Sequence, residues 1–426
     1  MGARGWGLVV AGFAGRIRAA VVCEGLLEGI HVREGASRGP VSGREGNPAG
    51  IRVNEGGPHG RSEGAGRGRA VPSVSVDIAE TPGPARLADF TTLRVGGPVR
   101  RLVIATTAAE LVAAVRDADD AGEPVLLLGG GSNLVVGDEG FAGTLVRIAN
   151  TGWTRDADIV EVAAGQEWDA FVSALVDNGL GGLECLSGIP GSVGATPIQN
   201  VGAYGGEVAE SIVSVELYDR AAKEVRTVKA DELGFAYRTS VLKGTDRGVV
   251  LSVRFRIDPS GQSAPIRYAE LARTLGVEID AKVPAAQVRE AVLGLRRGKG
   301  MVLDPADHDT WSAGSFFTNP IVPGEEAAAV LSRIAESAEG KIPQYPAKGG
   351  VKLSAAWLIE RAGFGKGYPG PGGRVSLSAK HTLALTNRGE ASTEDLLALA
   401  REVRDGVEAR FGVRLHPEPL LINCSL

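Results

Sequence analysis

From about residue 86 the chain falls into short blocks of regular apolar and polar spacing. Arg101-Leu-Val-Ile-Ala105 reads as a strand, and Thr107-Ala-Ala-Glu110 behind it has the spacing of a capping box. Leu111, Val112 and Val115 recur at helical intervals, and Gly122 stands where that helix should stop. Pro124-Val-Leu-Leu-Leu128 has the unbroken apolar character of a buried strand and runs into Gly129-Gly-Gly-Ser-Asn133, and Phe141 to Ile148 forms a further strand. The pattern predicts a β-α-β unit with a glycine-rich turn after its second strand. A second block predicts a strand at 159–163 and a helix whose face carries Trp168, Phe171, Val172, Leu175 and Val176 before Asn178-Gly179. Strands at 212–218, 224–228 and 249–257 and a helix at 285–295 follow. A third block, from about 298, predicts helices near 325–339, 355–362 and 393–411 and short strands at 382–386 and 420–422. No repeat or heptad run interrupts this order. The fold class expected is mixed α+β with antiparallel pieces, not one doubly wound sheet.

Composition sets the first 80 residues apart. They hold 18 of the 61 glycines, ten arginines, no lysine and two aromatic residues, Trp6 and Phe13. Such a segment buries too little apolar area to offset the entropy of ordering it, so residues 1–80 are expected to be disordered. The apolar run Trp6–Ala14 is short, Arg16 and Arg18 follow at once, and no clean cleavage pattern appears, so a secretory signal is not the reading adopted. An alternative is a translation start further along, near Val71 or Val76.

The net charge of −5, from 46 basic and 51 acidic residues, excludes a binder whose affinity comes from neutralising nucleic-acid phosphates. No apolar run approaches the roughly 20 residues that span a bilayer. Three cysteines without CxxC spacing exclude a disulfide scaffold and a thiolate zinc site, and the five histidines have no metal-ligand spacing, so no metal is expected. The cytoplasm is the expected compartment.

Five stretches could carry chemistry. Gly129-Gly130-Gly131-Ser132-Asn133 offers successive N–H groups suited to a pyrophosphate, though a tight structural turn would look the same. Ser187–Gly205 packs five glycines and two prolines around Ile189, Val193, Ile198 and Val201. That suggests a loop folded back onto something and presenting backbone donors and acceptors to a planar polar ligand, or an ordered Ω-loop with none. Arg238, in Phe235-Ala-Tyr-Arg-Thr-Ser240, is a surface charge unless it sits in a cleft, where it can grip a carboxylate through two bonds. Ser315, between Gly314 and Phe316-Phe317, lacks a nucleophile elbow and a histidine partner, which argues against hydrolase chemistry. Glu418 is held between Pro417 and Pro419, either as a rigid functional group or as an exposed terminal turn.

Taken together, these segments resemble the UDP-N-acetylenolpyruvoylglucosamine reductase family. The resemblance covers about 86–426 and rests on seven motifs in the family's order: Thr91-Thr-Leu-Arg-Val-Gly-Gly97, the Gly129–Asn133 turn, Ile189–Gly205, Tyr237-Arg238, Tyr268, Gly314-Ser-Phe-Phe-Thr-Asn319 and Pro417-Glu418. The stretch Gly300–Ser312 departs in composition from better-known members. The resemblance implies a two-subdomain FAD-binding domain of the vanillyl-alcohol-oxidase (PCMH) type, with subdomains at 81–148 and 149–297. A C-terminal α+β substrate-binding domain at 298–416 and a segment at 417–426 carrying the catalytic glutamate would follow. It implies noncovalent FAD, since the glycine-rich turn holds no histidine, with NADPH as reductant. Gly129, Gly130, Gly131, Ser132 and Asn133 would take the pyrophosphate, and Ala195, Thr196, Gln199, Asn200 and Gly202 would line the cofactor. The implied reaction reduces UDP-N-acetylglucosamine enolpyruvate to UDP-N-acetylmuramate for peptidoglycan. Arg238 and Glu418 would support an enolate that Ser315 protonates at C2. Tyr204, Tyr268, Arg296, Lys299 and Asn319 would contact substrate, Tyr268 by closing over its diphosphate. Two rival readings are an FAD-dependent oxidase of the same superfamily acting on another alcohol or sugar, and a non-catalytic flavin- or nucleotide-sugar-binding protein. The first gives no reason for Ser315 and Glu418 to occur together, and the intact Arg238, Ser315 and Glu418 set argues against the second.

Overall fold

The computed structural model describes residues 85–426, so the tail expected to be disordered lies outside the described residues. The first block comprises β1 (Val99–Ala105), α1 (Ala108–Asp120), β2 (Val125–Leu128), β3 (Leu134–Val136) and β4 (Phe141–Ile148). The capping box is present: the Thr107 side chain accepts from the Glu110 N–H, and the Glu110 carboxylate accepts from the Thr107 N–H. The sheet runs β1-β4-β2, with both outer strands parallel to β4. The expected β-α-β unit therefore closes around an inserted third strand. One face of this sheet packs on Leu111, Val112 and Val115 of α1. The other face carries Leu126, Leu128 and Leu145 into a smaller core with Leu134 and Val136.

The second block adds β5 (Trp153–Asp156), β6 (Ile159–Ala163), α2 (Trp168–Asp177), the short pair β7 (Gly202–Ala203) and β8 (Gly206–Glu207), β9 (Ile212–Asp219), β10 (Glu224–Lys229) and β11 (Gly248–Arg256). Its main sheet is antiparallel in the order β10-β9-β11-β6-β5. Val162, Phe171, Val215 and Phe255 join the α1 face of the first block in one continuous core, which locks the two blocks together. Next come α3 (Ala269–Leu275) and α4 (Ala285–Gly298); α3 was not expected from the sequence.

In the third block, β12 (Ile321–Pro323), α5 (Gly324–Ser337), β13 (Gln344–Ala347), β14 (Gly350–Leu353), α6 (Ala355–Arg361), β15 (Val375–Leu377), β16 (Leu385–Asn387) and α7 (Thr393–Phe411) surround Phe316, Phe317 and Phe411. The strand expected at 382–386 begins only at Leu385, because 378–384 forms a turn closed by the Ser378 N–H donating to the Ala384 carbonyl at 2.8 Å. The chain then returns to the first block. The last strand, β17 (Leu420–Ile422), lies parallel to β3, with Leu420 opposite Leu134. That pairing carries the segment just before it between the first and third blocks.

Candidate active site

The glycine-rich turn after β2 is built into its surroundings. Gly131 has φ +68°, and a Cβ there would lie 1.9 Å from the Phe90 carbonyl oxygen, so only glycine fits. The Gly131 carbonyl accepts from the Thr92 N–H at 3.0 Å. The next two residues turn the other way. The Ser132 hydroxyl donates to the Pro190 carbonyl at 3.0 Å, and Asn133 Nδ2 donates to Gln199 Oε1 at 2.8 Å. The turn and the 187–205 loop therefore hold each other. That loop is moored at its other side: Trp168 Nε1 donates to Leu186 O at 2.9 Å, and the Trp168 N–H to Gly191 O at 2.6 Å. A Cβ on Gly194 would stand 2.5 Å from that of Ala164, so the loop can lie this close to the sheet only with glycine there.

Between turn and loop opens a cavity of about 410 Å³, within the roughly 300–1,000 Å³ range of ligand clefts. Ser132, Asn133, Ala195, Gln199 and Gly202 line it together with Arg238, Arg296, Ser315 and Glu418. Residues from six stretches of the chain thus line one cavity.

Arg238 sits in the left-handed region at φ +54°. Its guanidinium donates from Nη2 to Gly202 O at 2.6 Å, and its Nε faces Glu418 Oε1 at 3.5 Å. Glu418 is fixed by its backbone: its N–H donates to Phe316 O at 2.8 Å, and the Leu420 N–H donates to Asn133 O at 3.0 Å. The segment holding Ser315 and the segment holding Glu418 are thus bonded side by side, and the glycine-rich turn is bonded to the second. Burial pushes the Glu418 carboxyl above its ordinary range, against the opposing pull of Arg238 and Lys243. Ser315, half-buried, opens onto the same space.

The remaining expected residues divide into groups. Gly129 and Gly130 are buried in the turn, outside the cavity wall. Thr196 donates to Val193 O at 2.8 Å, and Asn200 gives its amide nitrogen to Glu207 at 2.8 Å while its oxygen accepts from the Ala209 N–H. The Thr196 bond stays within the loop, whereas Asn200 ties the loop to the segments that follow it, and neither residue lines the cavity. Asn319 Oδ1 accepts from the Ala355 N–H at 3.0 Å and so caps α6 from outside. Tyr204 and Tyr268 meet edge to face at 5.5 Å, and Lys299 lies 5.6 Å over the Tyr204 ring and 2.7 Å from Glu270. These three are outside the cavity wall but next to Arg296, whose charge is felt at Tyr204. Arg296 is 9% exposed and donates to Met301 O at 2.8 Å. Burial lowers its guanidinium to about 10, and its Nε has no hydrogen-bond partner among the described residues. Sequence reasoning missed Lys243, which lines the cavity and donates from Nζ to Arg238 O at 2.8 Å. Its one signal is a position in the same turn as Arg238. Leu127 and Met301, also on the wall, look like ordinary core residues in the sequence.

Residues 304–422 match the family described as "UDP-N-acetylenolpyruvoylglucosamine reductase, C-terminal domain", and residues 99–228 match the family "FAD binding domain". A UDP-N-acetylenolpyruvoylglucosamine reductase of Saccharopolyspora erythraea is 63% identical over 358 residues, which is 82% of this chain and 98% of that protein. The chain belongs to the UDP-N-acetylenolpyruvoylglucosamine reductase family. A family member from Mycolicibacterium smegmatis is 54% identical over 83% of this chain and 98% of its own length. The crystal structure of the Thermus caldophilus reductase superposes with a TM-score of 0.56 at 28% identity, covering 80% of this chain and 98% of that one. As a family member the protein is an oxidoreductase and a flavoprotein, with FAD as its cofactor. The fold is the α+β arrangement of an FAD-binding domain followed by a family-specific C-terminal domain.

The residues present fit a flavin. Leu127, Ile189, Ile198 and Val201 give the cavity apolar walls for a planar ring, and Ser132, Asn133 and Gln199 give it polar edges. Arg296 brings to the same space a buried cation with an unspent donor, which suits a phosphate-bearing ligand.

Proposed function

We propose that this enzyme reduces UDP-N-acetylglucosamine enolpyruvate to UDP-N-acetylmuramate in the cytoplasm, on the pathway to peptidoglycan. The observation that carries the reading is the meeting of Arg238, Ser315 and Glu418 on one cavity wall. FAD, when bound, supplies the redox relay between NADPH and C3 of the enolpyruvyl group. Its attachment is noncovalent, since 129–133 offers no imidazole. Hydride arrival at C3 leaves negative charge on C2, delocalised into the substrate carboxylate. Arg238, held against Gly202 O and Glu418, is aimed in advance at that charge, and such preorganised groups lower barriers by several kcal/mol, on the order of 3–4 for one donor. Ser315 gives its proton to C2. A hydroxyl is a weak acid, but the enolate is a strong base, so placement counts for more than acidity. The 3.5 Å contact with Glu418 orients the guanidinium, and the buried setting keeps water from the carbanion. Arg296, with Lys299 and Tyr204 at the rim, is the place for the diphosphate, and Tyr268 would close over it. Ser132, Asn133, Ala195, Gln199 and Gly202 hold the cofactor.

The experiment is a separation of half-reactions. Ser315→Ala should keep flavin reduction by NADPH within about threefold of wild type and slow reoxidation by the enolpyruvyl sugar by at least about 100-fold. Equal loss of both steps would assign the serine to folding and remove it from the mechanism.

A further inference from the structure

Arg238 has a backbone conformation that bulky residues avoid, with φ at +54°. Such a conformation persists only when its surroundings over-determine it. Two contacts do so. Ala236 and Thr239 exchange backbone hydrogen bonds of 3.1 and 3.2 Å across the turn, and Lys243 reaches back five residues to donate from Nζ to the Arg238 carbonyl at 2.8 Å. Ser240 ties the same turn to the cofactor loop by donating to Ile198 O at 2.7 Å. The Lys243 side chain also borders the cavity that holds Ser315 and Glu418, and its charge is felt at Glu418.

We propose that Lys243 is a positioning residue for the reduction of the enolpyruvyl group: its ammonium fixes the left-handed turn that aims the Arg238 guanidinium, and it brings a second cation to a cluster with one carboxylate. Arg238 and Lys243 together present positive charge to the cavity, which suits the carboxylate of an enolpyruvyl substituent. The inference rests on the enolpyruvyl reduction proposed above. Lys243 acts through Arg238, so its loss should fall on the substrate step alone.

The test uses the holoenzyme with Lys243→Met and Lys243→Arg. At wild-type flavin content, Lys243→Met should reduce its flavin with NADPH within about threefold of wild type and pass electrons to the enolpyruvyl sugar at least about 30-fold more slowly. Lys243→Arg, which keeps a long cation, should recover to within about fivefold. A crystal structure of Lys243→Met should show the Arg238 guanidinium withdrawn from Gly202 O and Glu418. The proposal is overturned by a normal substrate step in Lys243→Met, by equal loss in both half-reactions, or by an unmoved Arg238. Should the wild-type flavin itself fail to pass electrons to the enolpyruvyl sugar, the reduction reading falls, and the position of Arg238 in the variant structure decides the role of Lys243 alone.

Discussion

Glu418 shows how a single side chain is set by its neighbours. Burial raises its pKa above the ordinary value near 4.5, so desolvation outweighs the attraction of Arg238 and Lys243. A carboxyl whose folded-state pKa is raised favours folding while protonated, below its unfolded pKa. That contribution is lost as the pH climbs through the folded value. Glu418→Gln mimics the protonated form at every pH. The variant should therefore melt at a higher temperature than wild type at pH 7 to 8, with the gap closing toward pH 4. Its substrate half-reaction should meanwhile collapse. Melting curves across that range check the sign, and a gap that does not change with pH would show that ionisation of Glu418 costs the fold nothing. The sequence marked Glu418 through its flanking prolines, because prolines announce rigidity locally. It could not mark the contact with Arg238, which spans 180 positions.

At the scale of elements, the first and third blocks are joined at the N-terminus of α7. The Asp138 carboxylate, in the loop after β3, accepts from the Thr393 and Glu394 N–H groups at 2.9 and 3.1 Å. The Ser392 hydroxyl accepts from the Asp395 N–H at 3.1 Å. The first three backbone donors of α7 are thus satisfied, two of them by another block. The Thr393 hydroxyl donates to Val136 O at 2.6 Å and completes the joint. Asp138→Ala should cost about 1 kcal/mol of stability, lowering the melting temperature by a few degrees and leaving turnover within about threefold. An unchanged melting curve would mean that water replaces the carboxylate without loss. The helix α1 was legible partly because its cap is local, with Thr107 and Glu110 three residues apart; α7 was expected without its cap, which the structure places at Ser392 and Asp395. The sheet of β12, β14 and β13 was not, since Pro323 and Pro346 sit in its strands and mask their period.

For the whole molecule, the cavity is the common product of all three blocks. Its lining draws on Leu127, Ser132 and Asn133, the 189–203 loop, the turn around Arg238, Arg296, Ser315 and Glu418. A ligand that binds there stabilises every block at once, by about 2.7 kcal/mol at a hundredfold excess over its dissociation constant. Adding FAD to flavin-free protein should raise the melting temperature in a single transition, read by scanning calorimetry. Two separate transitions, with only the second-block core responding to flavin, would show that the third block does not contribute to the site. The residues in order along the chain were enough to establish the α+β class, most helices and the capping box of α1, because periodicity and capping act over a few neighbours, and they carried the seven motifs of the family resemblance. Folding alone decided the strand inserted between β1 and β2, the return of β17 to β3, the bonds that tie Asn200 to Glu207 and Ala209, and the place of Lys243. Each of these depends on contacts between residues too far apart, or too ordinary in type, for local pattern to report them.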